Sequence, residues 1–74
     1  MALYNFLVRR DANIVHSEIG FHASNMGTVW EHIHRLANTF DSHGTHVRVT
    51  DDQGDVVIAV GVLTAQIMNR AEAA

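Results

Sequence analysis

The pattern of apolar and polar positions is clearest between His46 and Val62, where two apolar runs flank the acidic turn Asp51-Asp52-Gln53-Gly54. Val47 and Val49 alternate with His46, Arg48 and Thr50, the period of two expected of a strand with one buried face. Val56 to Val60 is apolar throughout, so the returning strand asks for cover on both faces. Because side chains alternate, the length of the turn decides which residues share a face. A four-residue loop from Asp51 to Gly54 sets Thr50 opposite Asp55 and gathers Val47, Val49, Val56, Ile58 and Val60 on one side. An odd loop would put Val56, Ile58 and Val60 on the side of Arg48. The even loop is therefore expected, with Gly54 in the left-handed turn position.

Residues 2 to 9 alternate in the same way, with Tyr4, Phe6 and Val8 on one face and Leu3, Asn5, Leu7 and Arg9 on the other. Arg10-Asp11-Ala12-Asn13 carries turn chemistry, and Ile14 to Ser17 reads as a short returning strand in a region that Gly20 ends. From residue 26 to 40 the period changes. Met26, Val29, Trp30, Leu36, Ala37 and Phe40 fall within about 60° of Ile33 on a helical projection, an unbroken apolar stripe. Asn25 or Ser24 caps its start, and Asp41-Ser42-His43-Gly44 ends it. Leu63, Ile67 and Arg70 or Ala71 then mark a shorter helix. The order β-β-α-β-β-α predicts one two-layer α+β domain over residues 1 to 74. Its four-stranded antiparallel sheet carries one main helix on one face, with a short C-terminal helix after it.

That arrangement leaves the second face of the sheet to be covered. Leu3, Leu7, Arg9, His46, Arg48, Val57 and Ala59 are placed there, with Asn5 and Thr50 among them, and the set is too apolar to be simply wet. Two covers are open: the chain's own C-terminal helix, or a second copy in a homodimer. These seven residues form the candidate interaction face.

Composition sharpens the second option. A chain of 74 residues buries only about 60% of its unfolded surface, and without cysteine it has neither disulfides nor thiolate zinc sites to support it. Oligomerisation is one of the remaining routes to stability. Eight carboxylates face five arginines and no lysine, and Arg9, Arg10, Arg35, Arg48 and Arg70 are scattered, which argues against a nucleic-acid coat. A regulatory contact with nucleic acid through Arg9 and Arg48 is the alternative. At the amino terminus the charges follow the apolar run, the reverse of a secretory signal, and the longest apolar stretch, Val56 to Leu63, is under half a bilayer span. A cytoplasmic protein without a membrane segment is expected.

Candidate chemistry is sparse. Glu31 and His34 have the Glu-x-x-His spacing of di-iron bundles, but there is one copy and Glu31 points about 160° away from the apolar stripe. A solvated helix surface explains both. His32 and His34 fall at opposite borders of that stripe, where amphipathic rings often sit. His43-x-x-His46, with Asp41 nearby, is a weak candidate for zinc or nickel and needs His16 or His22 as a third ligand. The acidic turn lacks the spacing and terminal glutamate of a calcium loop. Ser17, Ser24 and Ser42 sit in no nucleophile motif, and the glycines form no phosphate loop. No cofactor and no catalysis are expected.

Tyr4-x-Phe6, Glu18-x-Gly20 and Val47-x-Val49-Thr50-Asp51-x-x-Gly54-x-Val56-x-Ile58 together resemble a family of short bacterial proteins classed as a domain of unknown function. The resemblance covers about residues 3 to 62 and implies an aromatic first strand, a central helix and a terminal hairpin. It implies no activity and no site residues. The chain departs from the family pattern in having Gly61-Val62 where a proline follows the last strand, and Trp30 in place of a small residue. The expected function is that of a small, non-enzymatic, homo-oligomeric interaction or structural module.

Overall fold

In a computed structural model that describes residues 2–73, with side chains through Ile67, the elements follow the expected order. They are β1 (Ala2–Arg10), β2 (Asn13–Ala23), α1 (Met26–Thr39), β3 (Thr45–Asp51), β4 (Val56–Gly61) and α2 (Val62–Ala73). The strands form one antiparallel sheet in the order β2-β1-β3-β4. Phe6 and Val8 of β1 and Val47 and Val49 of β3 are buried against Val29, Ile33, Leu36 and Ala37 of α1. The α+β fold is therefore as read from the alternation.

Helix α1 begins where its cap requires. Asn25 is extended, and its side-chain oxygen accepts from the backbone N–H of Thr28 at 3.0 Å, satisfying one of the first free amides. The stripe is narrower than its sequence, since Met26 is exposed and Trp30 and Phe40 are half-buried.

The hairpin reaches the expected face by a different route. Gly54 N–H donates to the Asp51 carbonyl and Asp51 N–H to the Asp55 carbonyl, so the loop is the three residues Asp52 to Gly54, with Gly54 at φ +86. An odd loop of this kind is a turn followed by a left-handed bulge residue. Thr50 consequently pairs with Val56, not Asp55. The ladder then slips by one residue, so that Val49 pairs with Ile58 and Val47 with Val60. Val57 is the extra residue that restores the parity. Val47, Val49, Ile58 and Val60 share the core side as expected, but Val56 does not and is 55% exposed.

Strand β2 is longer than expected. It runs on past Ser17 and through Gly20, whose φ of +78 falls at a register shift between the Tyr4 and Phe6 pairs. Gly20 N–H leaves the ladder there and donates to the Asn5 side chain at 3.1 Å. The glycine bends the strand rather than ending it.

Helix α2 packs along α1, with Val62 and Ala65 in the common core and the Gln66 amide donating to the Ala37 carbonyl at 3.1 Å. The spacing of Leu63 and Ile67 marks the helix as expected, but both side chains are exposed and the helix buries Val62 and Ala65 instead; the side chains of 70 and 71 lie outside the described ones. Because β4 leads into α2 without a linker, the first helical turn lands over the end of the core, which selects Val62 and Ala65.

Candidate functional site

Both helices lie on one side of the sheet, so the chain's own C-terminal helix does not cover the other. On that open face the register sets Leu7 beside Arg48, Arg9 beside His46 and Asn5 beside Thr50, with Ala59 next to Arg48. A concavity of about 310 Å³ lies among Leu7, Arg9, Asp11, His46, Arg48 and Ala59. A second, of about 400 Å³, adjoins it through Leu7 and Arg48 and reaches Asn5, Ser17, Ile19 and Thr50. Five of the seven candidate residues, Leu7, Arg9, His46, Arg48 and Ala59, thus meet around one hollow. Leu3 is exposed toward the far end of β1, and Val57 is exposed at the bulge of the edge strand β4.

The hollow carries two arginines and a histidine with one carboxylate, Asp11, among its lining residues. Among the described residues the ion pairs involve only Glu18 with histidines, so neither Arg9 nor Arg48 has a carboxylate partner. The Arg9 Nε is buried and makes no hydrogen bond among the described residues. A buried donor without an acceptor costs about 1–3 kcal/mol, and a guanidinium can only donate, so an oxygen acceptor would satisfy it. Arg10 differs, since its Nε donates to Thr45 at 3.4 Å.

Sequence reasoning missed two apolar members of the surface around the hollow. Ile19, which lines the second concavity, is 87% exposed, and Ile14 opposite Arg9 is also exposed. Reading β2 as ending near Ser17 left Ile19 with no face to belong to. The signal was Gly20 itself, since a glycine inside a strand pattern also marks a bulge.

It also missed a second cluster. Phe6 pairs with Glu18 and Val8 with His16, which turns both polar side chains of β2 toward the helix side. One oxygen of Glu18, Oε2, accepts from His32 of α1 at 2.8 Å and from His16 at 3.0 Å. The His32 ring stacks on Phe21 at 4.5 Å and meets Phe6 edge-on at 4.7 Å, as an amphipathic ring at the stripe border should. Burial pushes the Glu18 carboxyl up, but hydrogen bonds from His32 and His16 and the charges of both rings outweigh it and hold the group below the usual carboxylate value. This cluster ties the edge strand to α1. The i, i+2 spacing of His16 and Glu18 was visible, but the register shift that turns them inward was not.

The metal candidates are not brought together. His43 is exposed in the turn after α1, His46 is exposed on β3, and His16 is engaged with Glu18 on the helix side. Among the described residues no group of three His, Cys, Asp or Glu has a geometry that could hold a metal ion. Glu31 is exposed, in keeping with a solvated helix surface.

Fold and surface together define a small α+β domain with an open, partly apolar sheet face whose arginines make no ion pair among the described residues. Scans against family models, curated proteins and solved structures found no match for the chain. No helix among the described residues is long and apolar enough to cross a membrane.

Proposed function

We propose that the protein is a non-enzymatic interaction module of the cytoplasm that forms a homodimer through its open sheet face. The observation that carries this is the placement of both helices on one side, which leaves Leu3, Ile14, Ile19 and Val57 exposed. The molecule extends 33 × 29 × 17 Å. As an ellipse, a broad side of 33 × 29 Å projects roughly 750 Å², near the roughly 800 Å² per partner of a standard interface.

Pairing of sheet edges is a poorer route to a dimer. Edge strand β2 is irregular at two places and edge strand β4 at one, and bulges of this kind discourage strand addition. Face-to-face packing needs no free edge. It also matches the small core, since a second copy supplies the burial that 74 residues lack.

Sedimentation equilibrium of the wild type and of Leu7→Glu tests the reading. Leu7 lines both concavities, so a dimeric wild type and a folded, monomeric variant are expected. A monomeric wild type, or a variant of unchanged mass, would overturn it.

A further inference from the structure

The hollow at Arg9 and Arg48 is built within one chain, and we infer that it binds a small organic monocarboxylate. The carboxylate sits at the two guanidiniums, and its apolar body lies along Leu7 toward Ile19. This goes beyond the dimer, since no second copy is needed to form the site. The register of the strands explains why a hollow lies there. His46 of β3 stands between Arg9 on β1 and Gly61 on β4, and Arg48 stands between Leu7 and Ala59. With glycine and alanine at the β4 positions, the long side chains of β1 and β3 rise beside a low floor. A Cβ at Gly61 would meet the His46 ring at 3.7 Å, which places that imidazole at the floor's edge.

Charge selects the head group. Arg9 and Arg48 make no ion pair among the described residues, and the buried Arg9 Nε has no acceptor there. Asp11 is the one carboxylate among the residues lining this hollow. Its backbone N–H donates to the Gly44 carbonyl at 3.3 Å, and its Oδ1 lies 3.1 Å from where a Cβ on Gly44 would stand. The carboxylate is therefore held against the Gly44 turn and not on either guanidinium. Two guanidinium charges less one carboxylate leave a formal +1 with His46 neutral. A single carboxylate balances that in the planar geometry a guanidinium fork matches, whereas a phosphate dianion overshoots it.

The adjoining concavity selects the rest of the ligand. Leu7 and Arg48 line both hollows, and the second, of about 400 Å³, continues to Ile19, which is 87% exposed. Glu18 at its edge has its Oε2 taken by His16 and His32. An apolar body along Leu7 and Ile19 removes that surface from water while the head group is fixed by the arginines, the division of roles usual in small-molecule sites. A second copy seated over the face would roof the site, and the bound carboxylate would neutralise guanidiniums that two packed sheets otherwise enclose.

Titration with hexanoate, followed by NMR of backbone amides and arginine side chains, tests the site. Shifts at Leu7, Arg9, His46, Arg48 and Ala59 are expected, with acetate, hexanol and inorganic phosphate each binding about tenfold more weakly. Arg48→Gln should weaken hexanoate about tenfold and leave hexanol unchanged, whereas Ile19→Ser should weaken hexanoate and leave acetate unchanged. Both positions are exposed, so both variants keep the fold. No shifts on this face, equal affinity for acetate and hexanoate, tighter binding of phosphate, or unchanged binding by Arg48→Gln would overturn the inference. Sedimentation separates this reading from the dimer. A monomeric wild type that binds hexanoate keeps the site and loses the dimer, and a dimer that does not bind it loses the site alone.

Discussion

Glu18 on the edge strand β2 and His32 on α1 meet at 2.8 Å, joining the outermost strand of the sheet to the helix that covers it. His16, two residues earlier on the same strand, holds the same carboxylate oxygen at 3.0 Å. The pair is polar in a layer otherwise built from Phe6, Phe21 and Val8, and it exists because bulges re-aim two side chains.

The Glu18 carboxyl lies below its usual value of 4.5 in the folded chain, so the stability it contributes is present above that value and lost as pH falls through the lower, folded one. Glu18→Gln is expected to cost about 1 kcal/mol near neutral pH, a modest figure because the group is partly exposed. Wild type and variant should converge in strong acid. Urea unfolding between pH 3 and 7 measures this, and parallel curves would contradict it.

Val57 is the extra residue of the β4 bulge, with Val56 opposite Thr50 and Ile58 opposite Val49. Its deletion closes the ladder without moving Ile58 or Val60 off the core side. We expect that variant to fold, within about 1 kcal/mol of wild type. Deleting Ala59 shifts Val60 to the outer face and should abolish cooperative unfolding. Thermal melts followed by circular dichroism distinguish the two.

At Gly54 an added Cβ would meet nothing within 4 Å, so the cost of Gly54→Ala is that of a left-handed backbone alone. About 1 kcal/mol is expected, with Gly54→Asn costing less because asparagine tolerates this region better. Denaturant midpoints of both variants check the order. Equal values would show that the loop relaxes to another turn.

Val62 is fully buried at the start of α2, whereas Ile67, five residues on and about 140° round the helix, is 63% exposed. Val62→Asp leaves a charge in the core and is expected to remove several kcal/mol, enough to unfold so small a domain. Ile67→Asp should change monomer stability by no more than about 0.5 kcal/mol. The reverse result would place the other side of α2 against α1.

What the sequence determined by itself is local. Periods of two and 3.6, an asparagine before the helix and glycine in the hairpin turn suffice for the elements, the α+β class and the core set of Phe6, Val8, Ile33, Val47 and Val49. Such signals act between neighbours along the chain, so they are readable in one dimension. Register was decided only by the tertiary structure. The odd loop at Gly54 conflicts with the core's demand for Ile58 and Val60, and burying those side chains outweighs the bulge at Val57 that reconciles them. The same holds for β2, where packing against α1 turns His16 and Glu18 inward, and for α2, which goes to the covered side because Val62 and Ala65 complete a core already there. The open face follows from that last choice: it holds the residues that alternation assigned to it, but only the position of α2 leaves them bare.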